Sequence, residues 1–306
     1  MLNSGRLNVL REVIASGSFS AAADSLSYSQ SAVSQAIATL EGELGGVSLI
    51  ERDRRGIRPT AAGAALANHA EGILARMEAA EAEVAAIAGG RGGHLRIASF
   101  PTAGATLMPL AISTFSASHP AVDVTLAEGE PEEIATRLRT GEFDLVLLFE
   151  FPGVGEKLGA GMRRFELFDD PLHLALRRDH PLAGREELRL GDLSGESWVQ
   201  TSAASPCARH VVRSCHAAGF EPGVSFESDD YQTVQGLVAA GVGVALIPQL
   251  ALSTVRDDIR IRALHPHSPV RKVFAATRRG APVTPAVATM LDVLREEARA
   301  RPGEPA

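Results

Sequence analysis

Lysine is nearly missing from this chain. Only two of its 30 basic residues, Lys157 and Lys272, are lysine, and the rest are arginine. The skew suits a GC-rich coding sequence and marks no site. Cysteine is also scarce. Cys207 and Cys215 are too few for a disulfide scaffold and fit a reducing cytoplasm. No stretch approaches the twenty continuous apolar residues of a membrane span, and the N-terminus has no basic segment leading into an apolar run. The expectation is therefore a cytoplasmic protein with no membrane partner and no signal peptide. Net positive charge is absent too: the chain carries −7, which excludes a basic coat for nucleic acid. Nine histidines are scattered without an HExxH or comparable metal pattern. Gly241-Val242-Gly243 is too short for a dinucleotide fingerprint. No nucleophile, base and orienting group fall together in the sequence. No catalytic residue, metal ligand or cofactor is expected. With 306 residues, two or three domains can each bury a core.

The informative stretch is residues 19–45. Ala21, Ala22, Ala23 and Leu26 line one side of a short helical pattern. A polar turn follows at Ser27-Tyr28-Ser29. A second helical pattern then places Val33, Ile37, Leu40 and Leu44 on one face. Its other face carries Gln30, Ser31, Ser34, Gln35 and Ala38. Short uncharged side chains with donors and acceptors can lie deep in a major groove and bond to base edges. The plainer alternative is a solvated face on a two-helix hairpin. Residues 1–60 carry six arginines and six acids, so their positive charge is local: Arg52, Arg54, Arg55 and Arg58 cluster. Such a cluster suits a wing that touches phosphates, or simply a solvated basic loop.

Around that stretch the chain resembles the LysR-type transcriptional regulators. The resemblance rests on Leu7, Leu10, Val13 and Ile14, then Gly17-Ser18-Phe19-Ser20, Ala21-Ala22-Ala23, Leu26 and Ser29 to Ser34. It continues through Ile37, Leu40-Glu41, Leu44-Gly45, Glu51-Arg52 and Pro59 to Gly63. It implies a winged helix-turn-helix, with DNA contacts at Ser29, Gln30, Ser31, Ser34, Gln35, Arg52, Arg54, Arg55, Arg58 and Thr60. The sequence departs from the family pattern at the spacer before the wing, at Ile50, and at Pro59-Thr60, where the family often has Leu-Thr. Gly46-Val47-Ser48 is one residue longer than the usual spacer, and Ile50 stands where the family has Phe. A re-registered loop before the wing is expected.

Leu66, Ala70, Ile73, Met77, Ala80, Val84 and Ile87 alternate at four- and three-residue steps, a heptad stripe on an Ala-rich helix. The resemblance makes this a linker helix that pairs two DNA-binding heads. The glycine-rich run 89–93 ends it.

From Leu95 the pattern alternates strand and helix, which predicts parallel sheets covered by helices. Strands are expected at 94–99, 122–127, 143–149, 171–177, 197–200, 224–228, 243–247 and 271–277. Helices are expected at 103–117, 131–140, 206–218, 230–240 and 284–299. The resemblance implies two α/β lobes joined by two crossovers, as in periplasmic binding proteins. The fold class is thus α+β multidomain. Residues 1–60 form the winged helix-turn-helix, 61–90 the dimerising helix and hinge, and 91–306 the effector-binding domain. Lobe 1 spans about 91–168 and 271–306, and lobe 2 about 169–270.

In open sheets, ligands sit past the carboxyl ends of strands. Ser99, Phe100, Thr102, Glu128, Phe149, Thr201, Ser202 and Tyr231 lie there and are the candidate effector residues. For Thr102 the plain alternative is helix capping. No arginine is seen converging on Glu128, Glu130, Asp229 and Asp230, so no carboxylate effector is assigned. The expected function is a sequence-specific regulator of transcription governed by a small-molecule effector. Its partners would be double-stranded operator DNA, its own copies in a homodimer or homotetramer, and RNA polymerase as a further candidate. The alternatives are a redox-sensing regulator using Cys207 and Cys215, a solute-binding protein, and an enzyme with a DNA-binding head.

Overall fold

Short polar residues punctuate the N-terminal helices. The computed structural model describes residues 2–53, 56–87, 93–152, 158 and 161–301. Asn3 caps α1 (Ser4–Ser16), Ser18 caps α2 (Phe19–Leu26) and Ser29 caps α3 (Gln30–Glu43). Each side-chain oxygen accepts an N–H from the first turn, which satisfies a donor that the helix itself cannot. Gly17 ends α1 at φ +63°, a left-handed position that glycine occupies without strain. A two-stranded wing follows, β1 (Ile50–Asp53) and β2 (Gly56–Pro59), antiparallel with Ile50 opposite Pro59. Then comes the long helix α4 (Ala61–Ile87).

The core of this head is wholly aliphatic and aromatic. Val9, Leu10, Val13, Phe19, Ala22, Ala23, Val33, Ile37, Leu40 and Leu49 pack together. Each large side chain in it contributes roughly 1.5–3 kcal/mol by leaving water. Gly63 in the first turn of α4 must stay bare, because a Cβ there would stand 2.0 Å from the Leu49 carbonyl oxygen.

The chain divides into two compact units, residues 1–94 with 136–143, and residues 95–135 with 144–306. After α4 come β3 (Gly93–Ser99), α5 (Pro101–Ala105), α6 (Leu107–Ser118), β4 (Val122–Glu128), α7 (Pro131–Thr140) and β5 (Leu145–Glu150), all in the second unit but for the start of β3 and the second half of α7. There follow β6 (Met162–Arg177), β7 (Ser197–Gln200), α8 (Pro206–Ala217), β8 (Gly223–Glu227), α9 (Tyr231–Ala239), β9 (Ala245–Pro248), β10 (Ile259–Arg262), β11 (Val270–Arg278) and α10 (Pro285–Arg299). Seven strands run in the order β10-β6-β11-β5-β3-β4, with β9 also on β6.

The strand β6 threads both lobes. Met162 to Pro171 pair with β11, and from Leu172 the same strand pairs with β9 and β10. The two pairings change partner at Pro171-Leu172, so one continuous strand carries the chain from lobe to lobe.

Four expectations are corrected. The helix expected at 103–117 is two helices, broken at Thr106 with φ −123° and ψ −64°. The strand expected at 171–177 starts at Met162. The short β10 was not anticipated. The sheet is mixed, since β3 and β5 are parallel but β11 is antiparallel to both its neighbours.

Candidate DNA interface and effector cleft

On α3 the buried residues are Val33, Ile37 and Leu40. Gln30, Ser31 and Gln35 are exposed on the helix and Ser34 is half-buried. Ser29 is committed to capping: its hydroxyl accepts the Ala32 N–H at 3.2 Å and lies 3.0 Å from the Ser31 hydroxyl. Tyr28, 56% exposed at the turn before Ser29, is a further large side chain beside this face. Its ring in a run of serines was the available signal, and the sequence reading passed over it. Thr60 is turned inward to the fold. It donates to the Ser48 carbonyl at 2.8 Å and accepts the Gly63 N–H at 3.0 Å, which caps α4. In the wing, Arg58 is exposed. Arg54 and Arg55 lie outside the described residues, as does the side chain of Arg52.

The longer loop before the wing turns through two left-handed glycines, Gly45 at φ +77° and Gly46 at φ +83°. Beyond them Glu41 reaches back from α3 and accepts the Leu49 N–H at 2.7 Å. That bond seats Leu49 in the head core, 1% exposed.

The heptad stripe of α4 is divided in use. Ala70 is buried and Leu66 packs on the head core, whereas Ile73, Met77 and Val84 are 38%, 44% and 66% exposed. Three large apolar side chains on one exposed helix face suit a second helix.

In the second unit one residue organises the candidate cleft, and the sequence reading missed it. Arg271 on β11 is 2% exposed. Its Nε donates to Asp170 at 2.8 Å, one terminal nitrogen donates to the Thr102 hydroxyl at 2.6 Å, and the other lies 3.7 Å from the Cys207 Sγ. The guanidinium carbon stands 4.5 Å from the Phe149 ring centre and 4.9 Å from that of Phe100. Those two rings meet edge to face at 4.9 Å. Asp170 also accepts the Leu250 N–H at 2.9 Å, so every arm of the pair is used. A buried charge persists only with such partners. Two adjacent charges, Arg271 and Lys272, in a run otherwise apolar from Val270 to Ala276 were the signal that could have found it.

Of the expected effector residues, Phe100, Thr102 and Phe149 converge on Arg271. Tyr231 joins them through a hydrogen bond to Cys207, and burial pushes its phenol well above the ordinary range. Thr102 does not cap a helix: Phe100 occupies the cap position of α5 with no side-chain bond. Ser99 is fully buried and its hydroxyl has no partner among the described residues. Thr201 is engaged locally, 2.5 Å from the Ser205 hydroxyl at the start of α8. Ser202 uses its backbone N–H on Asp229 at 2.8 Å, and Ala203 uses its own on Glu227 at 3.1 Å. Glu128 is exposed at the end of β4.

Arg209 pairs with Glu132, and the fields of Arg271 and Arg209 both fall on Glu130. Burial, together with Asp229 and Glu132, still raises the Glu130 carboxyl above its ordinary range.

Cys207 and Cys215 are both free and buried on α8. Burial raises the Cys207 thiol, and burial with Glu221 pushes Cys215 up to about 12. Burial and Arg213 lower His210 to about 4, and its ring stacks on Phe151 at 3.8 Å. An open pocket of about 790 Å³ lies elsewhere, at the other end of the β6–β11 pair, lined by Arg163, Arg164, Arg278 and Arg279. Among the described residues no helix is long and apolar enough to cross a membrane.

Residues 5–64 match the bacterial regulatory helix-turn-helix protein, lysR family, and residues 88–299 match the LysR substrate binding domain. Curated relatives agree. The probable HTH-type transcriptional regulator LrrA of Synechococcus elongatus is 35% identical over 97% of this chain and 98% of its own. A hydrogen peroxide-inducible genes activator of Dickeya chrysanthemi is 30% identical over 91% and 90%. Among solved structures, a full-length OxyR variant of Pseudomonas aeruginosa matches with a TM-score of 0.72 and 23% identity, covering 100% of this chain and 99% of that one. CbnR in complex with its target DNA matches with a TM-score of 0.72 and 23% identity over 97% and 100%. At that identity the two structures speak to the fold. The chain belongs to the LysR family: it is a DNA-binding transcription regulator with a helix-turn-helix head and an effector-binding domain.

Proposed function

We propose that the effector is a small molecule that binds between the two lobes at the Arg271 cluster, and that its binding alters how paired heads meet an operator. One observation carries this reading. A single buried guanidinium joins Thr102 of the first lobe, Asp170 of the connecting strand and Cys207 of the second lobe. An occupant that draws on any one of these groups must shift the others, so binding energy at the cleft converts into a change of lobe arrangement. Such a shift is transmitted only to the extent that the occupant prefers one arrangement.

In this reading Gln30, Ser31, Ser34 and Gln35 read base edges, and Arg58 with its wing neighbours holds the backbone. The exposed Ile73, Met77 and Val84 pair two chains, and dimer or tetramer then meets two half-sites. The protein works in the cytoplasm, with RNA polymerase as its eventual partner, and takes no catalytic part.

A second reading is oxidation sensing at Cys207, favoured by the guanidinium beside its sulfur and by the peroxide-responsive name of the Dickeya relative. Two facts weigh against it. The reactive form is the thiolate, and burial holds this thiol protonated. The two cysteines also stand eight residues apart on one helix, about 12 Å along its axis, too far for a disulfide while α8 persists.

The test is a reporter driven by the protein's own promoter. Thr102→Trp crowds Arg271 and is expected to abolish the condition-dependent change in expression. A response that survives Ser99→Ala and Thr102→Trp together, at wild-type size, removes the cleft from consideration.

A further inference from the structure

Most of the groups that an anionic ligand would need in this cleft are already taken by the chain itself. Arg271 is held by Asp170, and Arg209 by Glu132. The backbone N–H groups of Ser202 and Ala203 are bonded to Asp229 and Glu227. The start of α9 is filled by Asp230, which accepts the N–H groups of Gln232 and Thr233 at 3.0 and 3.1 Å. The first turn of α7 carries its own Glu132 and Glu133. These positive ends are thus answered internally, while α5 begins at Phe100 without a side-chain cap.

What remains is an excess of acceptors. Glu128 and Glu130 flank Gly129 at the end of β4, and their carboxylates make no hydrogen bond or ion pair among the described residues. The Ser99 hydroxyl, fully buried, also has no partner there. Ser99 and Glu128 share one place, and Glu130 follows across Gly129. The Ser99 Oγ and a Glu128 carboxylate oxygen stand 3.1 and 3.4 Å from the point that a Cβ on Gly104 would occupy. The absence of a side chain at Gly104 is what lets both approach. Gly129 ties the two strands together at that spot, its N–H bonded to the Ser99 carbonyl at 3.3 Å. A buried hydroxyl without a partner beside an unpaired carboxylate calls for a donor that can serve both.

We propose that the effector is a cation, a small molecule with an ammonium group, and that Ser99, Glu128 and Glu130 hold its nitrogen. This rests on the reading of the cleft as the effector site and adds its charge class. An ammonium has three donors and no acceptor. One can go to the Ser99 oxygen and two to the carboxylates. Arg271 does not repel the ligand strongly, because Asp170 neutralises it at 2.8 Å.

The experiment uses the purified full-length protein and three matched probe series of three to five carbons: α,ω-diamines, the corresponding diols and the corresponding dicarboxylates. Melting temperature is followed against probe concentration. The diamines are expected to raise it in a saturable way. The concentration for half the effect should rise at least tenfold in Glu128→Gln and in Glu130→Gln, and also in Ser99→Ala, should either glutamine variant fold poorly. Dicarboxylates that act where diamines do not, with the effect lost in Thr102→Trp, overturn the charge class and leave the cleft reading standing. Diamines that act equally on wild type and all three variants overturn the assignment of these residues. Diamines without effect on the wild type overturn the proposal outright. Failure of the cleft reading is a separate result, seen as a reporter response that persists with Ser99→Ala and Thr102→Trp combined.

Discussion

The head and the effector unit bury different things. Every buried polar or charged residue among the described ones lies in the effector unit: Ser99, Thr102, Asp170, His173, Gln200, Thr201, Ser205, Gln235, Arg271 and Thr277. The head core has none of them and keeps its polar groups at caps and on the outer face of α3. An apolar core holds one shape and leaves the surface free to read, and the head's polar side chains lie outside, where DNA can meet them. An interior with hydrogen-bonded charges is sensitive to what enters it, because each partner lost leaves another group unsatisfied. In the proposed function, the head would read with its outside and the effector unit would sense with its inside.

The contrast breaks most sharply at Arg271. Arg271→Ala leaves Asp170 buried and unpaired, and should lower the stability of the effector unit by about 3–5 kcal/mol in urea unfolding. The pair Asp170→Asn with Arg271→Met should recover most of that loss. An equal loss in the double variant would mean that packing, not charge, holds the cluster. Next in size is the seam of α4. Ile73→Glu with Met77→Glu should halve the mass measured by light scattering and weaken operator binding by on the order of 100-fold, the typical gain from joining two sites. Unchanged mass and affinity would place the pairing elsewhere.

A smaller effect separates reading from holding. Gln35→Ala should cost roughly 1–3 kcal/mol on the cognate operator and little on random DNA. Arg58→Ala should weaken both alike and reduce the salt slope by about one. Fluorescence anisotropy across a salt series checks both, and equal losses on both DNAs for Gln35→Ala would take base reading away from α3. The smallest effect is at Glu130. Its carboxyl is raised by burial, so the folded protein binds that proton more tightly than the unfolded chain does. Stability then falls as pH rises from the unfolded value through the raised one and stays lowered above it. Glu130→Gln should raise the melting temperature near about pH 8 and lose that advantage towards about pH 4. An advantage that is constant with pH would mean the charge is not its source.

Much of this was legible from spacing. The apolar period of α1 to α4 and the polar face of α3 are local patterns, fixed by residues a few positions apart, and they were read correctly. Most strands of the effector unit also came through, because their apolar runs are flanked by turns. What escaped is non-local or short. The first half of β6 mixes Arg163, Arg164, Glu166 and Asp169 with Phe165 and Leu167, and only its pairing with β11 makes it strand. The strand β10 is four residues long and gains its place from β6. The helix break at Thr106 lies inside an apolar segment with no glycine or proline at the break itself. Arg271 stayed hidden because its partner Asp170 is 101 positions away, and a charge in a sequence is by default taken as solvated.

The β6–β11 junction and the Gly45-Gly46 turn differ in their tolerance of added or lost residues. In the register, Arg271 faces Asp170 and Lys272 faces Asp169; the first rung points inward and the second outward. Because side chains alternate along a strand, deleting one residue on either side would exchange the two rungs and drive the wrong charge into the core. The loop at Gly45-Gly46 already carries a longer spacer than its relatives in the family pattern and closes it with two backbone conformations that need no side chain. In a population of drifting copies of this gene, changes of length should therefore collect ahead of the wing and be purged at the junction, so that the spacing between Asp170 and its strand neighbours is the most faithfully inherited distance in the molecule.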